Sequence, residues 1–347
     1  DNEIMKWKFH TIGLFCLFII RITSGQCPDD CRCPRPGQVD CSGSDILEIP
    51  TSIPPNIRSL IMLNTEVKEL PDRILENMTA LLILRIEKSE LSILGSKALS
   101  NLISLRYLSL LNNRLQEIPD GLFKDLTKLE TLILANNQIS ELHPLVFSTL
   151  MIGLSKLNLD IPNGLLNQLT SLQEIALHSN QISQVPADIF AYNTYLQKIF
   201  ISNNKLSSLP QGFLMNLPEL SKLTLHANAI KEITTGVFGP LPKLKELWLY
   251  DNQLEKLGAN VFLNLTYTQL LIISRNQIQY ISIDAFNGLD ELLELSLHTN
   301  ALSTLEEDVF HSLPKLQSIS IHSNKINHLP IDLFRDMFNL ATIQLAK

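Results

Sequence analysis

No run of lysines and arginines interrupts this chain of 347 residues, whose formal net charge is −7. A nucleic-acid binder needs a basic block or stripe to meet phosphates, so that class is set aside. No apolar run reaches the roughly 20 residues that a bilayer-spanning helix requires. Catalytic signatures are missing as well: there is no glycine-rich phosphate loop, no His-Glu-x-x-His and no nucleophile elbow. Serine, histidine and aspartate are present, but their positions follow a repeat. Nothing calls for a cofactor or a metal, and no enzyme is expected. Aromatic residues make up only 6% of the chain, so each exposed ring carries information. Cysteine is scarce too, with five in all.

What the chain has instead is a recurring phrase. In Leu244-Lys245-Glu246-Leu247-Trp248-Leu249-Tyr250-Asp251-Asn252-Gln253-Leu254, leucine fills positions 1, 4, 6 and 11 and asparagine fills position 9. The phrase returns every 24 residues along most of the chain, beginning at Ile57, Leu81, Leu105 and Leu129 and again from Leu172 onward. Alternation at positions 4 and 6 predicts a short strand with one buried face. The Asn at 9 stands where the chain leaves that strand, and its amide can both donate and accept. Stacked copies therefore predict an asparagine ladder through Asn113, Asn137, Asn180, Asn204, Asn228, Asn252, Asn276, Asn300 and Asn324. Thr65 and Ser89 hold the rung in the first two repeats, where a weaker ladder is expected. Thr268 replaces leucine at position 1, a local defect.

A ring recurs near position 19, at Phe123, Phe147, Phe190, Phe238, Phe262, Phe286, Phe310 and Phe334, which is eight of the 14 phenylalanines. That frequency predicts a spine along the back of the stack. One repeat cannot bury its own apolar floor; its neighbours must cover it. The expected fold is an α/β solenoid, a horseshoe with a parallel concave β-sheet. It has one continuous core over residues 57–347, with twelve repeats and a truncated thirteenth starting at Leu340.

One unit departs from the period. Leu154, Leu157 and Leu159 suit a strand, but Asp160-Ile161-Pro162 follows at once and the next unit begins at Leu172. The unit at 154–171 has 18 residues and no Asn turn. Lost coding sequence is favoured over a kink as its origin. The stop at Lys347, inside a strand and without a closing cap, marks a fragment; any stalk or membrane anchor lies beyond it.

Residues 1–25 read as a secretory signal, with 1–4 a leader before Met5. Lys6 and Lys8 precede an apolar stretch from Thr11 to Ile20, and Thr23-Ser24-Gly25 offers small residues for cleavage. Cys16 lies inside this segment. The remaining four, Cys27, Cys31, Cys33 and Cys41, fall in a cap at 26–56. In a secreted chain they predict two disulfides, for which spacing allows three connectivities. A zinc site is the competing reading, disfavoured because Cys-x-Cys lacks the usual ligand spacing. Asn77-Met78-Thr79 and Asn264-Leu265-Thr266 are glycosylation sequons at position 21, away from the strands.

Positions 2, 3, 5, 7 and 8 are free of packing duty and line the concave sheet. Position 5 includes Phe200, Trp248 and Ile272; position 7 includes His178, His226, Tyr250, His298 and His322. Strands about 4.8 Å apart would gather Phe200, His226, Trp248 and Tyr250 into one patch, with Asp251 and Arg275 at its border. Rings edged by charge have the composition of a protein-binding hot spot.

The cap and nearly all repeats resemble the extracellular leucine-rich repeat family, and within it a group of vertebrate cell-surface proteins. The resemblance rests on stretches such as Leu84-Arg-Ile-Glu-Lys-Ser-Glu-Leu91, Glu246-Leu-Trp-Leu-Tyr-Asp-Asn252 and Glu294-Leu-Ser-Leu-His-Thr-Asn-Ala-Leu302. These include outward residues that the repeat itself does not dictate. The resemblance implies pairs Cys27–Cys33 and Cys31–Cys41. It also implies an extracellular or cell-surface location and partners among matrix or cell-surface proteins, bound through the concave face in adhesion. Two other readings stay open: a secreted non-catalytic regulator or inhibitor, and an innate-immune recognition receptor.

Overall fold

The computed structural model describes residues 27–140 and 166–345. The expected signal and leader at 1–25, Phe147, and the short unit up to residue 165 lie outside the described residues.

The cap contributes β1 (Cys31–Arg32) and β2 (Gln38–Gly43). The first repeats contribute β3 (Ser59–Thr65), β4 (Glu69–Leu70), β5 (Ile83–Glu87), β6 (Ile93–Leu94), β7 (Tyr107–Ser109) and β8 (Thr131–Ile133). Then follow β9 (Glu174–Ala176), β10 (Lys198–Phe200), β11 (Lys222–Thr224), β12 (Glu246–Trp248), β13 (Lys256–Leu257) and β14 (Leu270–Ile272). The last are β15 (Tyr280–Ile281), β16 (Glu294–Ser296), β17 (Ser318–Ser320) and β18 (Thr342–Gln344). Fourteen of these make one sheet in chain order, and only β1 with β2 is antiparallel. β4 pairs with β6 and β13 with β15 in two small flanking sheets. The fold is a parallel-sheet solenoid, as expected. Its connections differ from the α half of an α/β label: among the described residues they are turns and extended segments, with no helix.

Positions 4, 6 and 11 supply the floor. Leu247, Leu249 and Leu254 are fully buried, as are their counterparts Leu223, Leu225 and Ile230. These side chains touch the repeats on either side, so burial is a property of the stack. The rings form the expected spine. Phe238, Phe262, Phe286, Phe310 and Phe334 follow one another at centroid spacings of 6.1, 6.3, 5.9 and 6.1 Å. Phe213, one position early in its repeat, fills the same role against Phe190 at 5.5 Å.

The asparagine ladder also forms, and its hydrogen bonds explain the residue choice. Asn252 Nδ2 donates to the carbonyls of Leu225 and Leu249, both at 3.1 Å, while its Oδ1 accepts from Ile230 N at 3.1 Å. One amide thus pairs three buried backbone groups from two adjacent turns. A primary amide has two N–H donors and a two-lone-pair acceptor, so asparagine can meet this demand where a hydroxyl or a carboxylate cannot. Thr65 and Ser89 join the ladder by hydroxyls: Ser89 Oγ accepts from Thr65 N at 3.1 Å and lies 2.8 Å from Thr65 Oγ1. The Thr268 hydroxyl donates to Leu244 O at 3.1 Å, so this fully buried polar group is satisfied.

β8 pairs directly with β9, Leu132 opposite Ile175. The ladder steps across the same joint, Asn180 Nδ2 donating to Leu134 O at 3.0 Å and Asn180 Oδ1 accepting from Ile139 N at 3.1 Å. The joint thus spans 43 residues where the other joints between repeats span 24. Among the described residues no strand stands between β8 and β9.

In the cap, disulfides join Cys27 to Cys33 and Cys31 to Cys41. Cys31 lies opposite Cys41 in the β1–β2 ladder, and β2 lies on β3. The cap therefore covers the first repeat's floor with a stapled antiparallel pair.

Candidate functional site

Each concave side chain is aimed by the strand that carries it. In β11 and β12 the register sets Lys222 opposite Glu246 and Thr224 opposite Trp248. Phe200 lies opposite Thr224 on the other side, so Thr224 separates it from Trp248. Just past each strand, position 8 adopts a left-handed conformation: φ is 52° at Ala227, 54° at Asp251 and 55° at Arg275. That turn lifts the position 7 side chains of His226 and Tyr250 beside Trp248.

Three of the four expected rings meet. His226 stacks on Tyr250 at 4.4 Å and 9° between planes, and Trp248 leans on both, at 5.8 Å from His226 and 6.4 Å from Tyr250. The Lys222 ammonium lies 4.6 Å from the Trp248 ring centre, a cation–π contact. Phe200 stands at the edge, and among the described residues it joins no ring pair. Its column is the expected one, but the buried Thr224 holds it apart.

Charges around the rings pair across repeats. Glu174 meets Lys198 at 3.2 Å, Lys222 meets Glu246 at 3.0 Å and Asp251 meets Arg275 at 2.7 Å. The patch is thereby close to neutral, with its charges locked to their neighbours. Four of its polar atoms are cut off from solvent and have no geometrically sound hydrogen bond among the described residues: Thr224 Oγ1, His226 Nδ1, Trp248 Nε1 and Glu246 Oε2, the last of which is met only by the Lys222 charge. Buried groups of this kind are uncommon, and a buried indole N–H usually finds an acceptor. Burial holds the His226 imidazole below its ordinary pKa; Asp251 pulls it up, and His178 pushes it further down.

Further along the column, His298 and His322 stack at 4.6 Å and 4°. Burial, then His322 and Arg275, hold the His298 imidazole below its ordinary pKa. Among the described residues, no group of three or more His, Cys, Asp or Glu is placed to hold a metal ion.

A second polar group on this face escaped sequence reasoning. Arg85 grips Glu87 through two hydrogen bonds of 2.8 Å, and Glu87 is buried. Burial works against the Glu87 carboxylate, but its hydrogen bonds and charge pairing with Arg85 leave its pKa lowered. The available signal was the i, i+2 spacing of opposite charges, which puts both on one face of a strand.

On the back of the stack, Asn77 and Asn264 are both exposed. Asn264 Nδ2 donates to Phe238 O at 2.8 Å.

Comparison with known proteins adds the following. The Leucine rich repeat family matches residues 103–165, 170–230, 218–278 and 266–326. Human leucine-rich repeat-containing protein 15 is 46% identical over 41 residues, covering 12% of this chain and 7% of that protein. The chain thus matches only a small part of that relative's length. Among solved structures, an internalin (inlF) from Listeria monocytogenes superposes with a TM-score of 0.60 at 22% identity, over 90% of this chain and 81% of that one. An octameric complex of Latrophilin 3, Unc5D and the leucine-rich repeats of FLRT2 contains a chain that superposes with a TM-score of 0.69 at 26% identity, over 86% of this chain and 84% of that one.

Proposed function

The chain belongs to the leucine-rich repeat family, and from that premise we propose that it is an extracellular protein-binding module, the ectodomain of a cell-surface adhesion receptor. Its partners are matrix or cell-surface proteins, held on the concave face. The observation that carries this reading is the cluster of His226, Trp248 and Tyr250. Rings, a pinned lysine and unpaired buried polar atoms stand together on a face that the fold leaves uncovered. Large rigid aromatic side chains give contact area at small entropic cost and dominate binding hot spots. Asp251, Arg275 and Phe200 form the rim. Two disulfides fit an oxidising compartment. That FLRT2 assembles with Latrophilin 3 and Unc5D supports protein partners for this chain. We include glycosylation of Asn77 and Asn264 in the proposal: both are exposed, and a glycosylated amide keeps one N–H for Phe238 O. An unchanged mass after enzymatic deglycosylation of the secreted chain would remove this part.

The test uses the soluble chain as a probe for cells and matrix-coated surfaces. Trp248→Ala should weaken its binding by about 2 kcal/mol, roughly thirty-fold, while leaving thermal unfolding nearly unchanged. Binding that survives the substitution would overturn the concave-face reading.

A further inference from the structure

His226 stands at the centre of the candidate surface, and its surroundings suit only one of its protonation states. One face lies on Tyr250 and the ring also touches Trp248. Nδ1 is cut off from solvent and has no partner among the described residues. In the neutral ring with the proton on Nε2, Nδ1 is an acceptor left empty, which costs little. In the imidazolium, Nδ1–H becomes a charged donor with nothing to accept it, a much larger penalty.

The charged and titratable groups facing it do not rescue that state. From its own repeat, Lys222 lies over Trp248 and is already paired with Glu246. From the β12 repeat, Asp251 attracts a proton, but its carboxylate is held by Arg275 at 2.7 Å. From the β9 repeat, His178 repels one. From the β10 repeat, the neighbour in the same column is Ser202, which is uncharged. Stacking an imidazolium on Tyr250 offers some cation–π attraction. Against that attraction stand the burial that lowers the His226 pKa and the Nδ1–H left without an acceptor.

We propose that the concave patch is gated by protons: it is assembled when His226 is neutral, and acidification expels the His226 ring from its stack and releases the bound partner. The inference deepens the concave-face reading and rests on it for the word partner. The gate itself, however, is a property of the unliganded chain. The sign follows from the direction of the shift. A histidine whose folded pKa is depressed stabilises the assembled patch fully above its ordinary value near 6.5, and loses that contribution as pH falls through the folded value. A receptor built this way holds its partner at extracellular pH and lets go in an acidic compartment.

Two measurements test it. The chain has two tryptophans, Trp7 and Trp248; Trp7 falls in the expected signal at 1–25, and Trp7→Phe makes Trp248 the sole reporter whether or not that segment is removed. Trp248 emission and the His226 C2–H resonance are followed from about pH 8 to about pH 5, across the histidine range. We expect His226 to titrate below its ordinary value and the emission to change with the same midpoint. His226→Phe keeps a ring in the stack and removes the proton; it should leave the neutral emission in place and abolish the pH response. His226→Gln, the second variant, should also lose the response. A midpoint at or above the ordinary histidine value, an emission flat across the range, or a response that survives in both variants would overturn the gate. No partner enters this titration, so its result stands apart from the Trp248→Ala test. With a binding surface in hand, acidification should weaken binding by about ten-fold or more for the unsubstituted chain, and not for His226→Phe.

Discussion

At the scale of single residues, the column just past each strand is the most constrained feature of the repeat. Position 8 is left-handed in every described repeat from Asn64 to Ser323, including φ 52° at Ala227 and 57° at Thr299. Asparagine tolerates that conformation because its short polar side chain bonds locally; a β-branched residue does not. Thr299 therefore carries strain that Asn64, Asn112, Asn136 and Asn203 avoid. Thr299→Asn should stabilise the chain by about 1 kcal/mol, read as a higher denaturation midpoint with unchanged slope; a lower midpoint would show that the Thr299 hydroxyl, 3.0 Å from His298 Nδ1, matters more than the strain. The ladder asparagine at position 9 was legible in the sequence because a buried turn demands a side chain that both donates and accepts. The left-handed column beside it was not, since Ala227, Arg275 and Thr299 do not announce a positive φ. Nor could spacing tell that Thr224 would hold Phe200 away from Trp248. Column membership is a matter of register, whereas ring contact depends on which side chain stands between two rings in the column.

At the scale of elements, the cap and the β8–β9 joint show what a period reveals and what it hides. The cap was readable as a stapled unit because a first repeat without a neighbour needs a cover, and four cysteines suffice to hold one. Their pairing came from resemblance, and the β1–β2 ladder gives its physical reason: Cys31 and Cys41 are directly opposed. This disulfide spans ten residues of a hairpin that otherwise has only two residues in β1. Cys31→Ser should remove about 2–5 kcal/mol from the cap and reduce secretion, with Cys41 left as a free thiol. Normal secretion and an unaltered unfolding curve would mean that packing of Val39, Ile46 and Ile49 against the first repeat is sufficient alone. The joint is the opposite case. Leu154, Leu157 and Leu159 have strand spacing but lie outside the described residues, and among the described residues β8 takes β9 as its neighbour. A pattern of three leucines can propose a strand. Only the ladder on both sides, Asn137 against Asn180, decides which strand continues the stack.

At the scale of the whole molecule, stability in a solenoid is close to a sum of repeat and nearest-neighbour terms, with few contacts beyond adjacent turns. The sheet stays in register where 43 residues replace 24. Removing one entire repeat, which brings each floor leucine against its equivalent two turns on, should therefore preserve the coil. Deleting residues 220–243 would set the repeat of Leu244 directly on that of Leu196. Phe213 would then meet Phe262 along the spine, and Asn204 and Asn252 would be consecutive rungs. The sheet loses β11, and with it Lys222, Thr224 and His226, but keeps Trp248 and Tyr250. The expected product is secreted, shows the same strand signature by circular dichroism and unfolds in one transition at somewhat lower denaturant. It should have lost both partner binding and the pH response of Trp248. Those losses would follow because a hot spot needs its supporting ring and its pinned lysine as well as its tryptophan. An aggregated or unsecreted product would show instead that the turns depend on more than their immediate neighbours. Intact binding would move the contact surface away from β11.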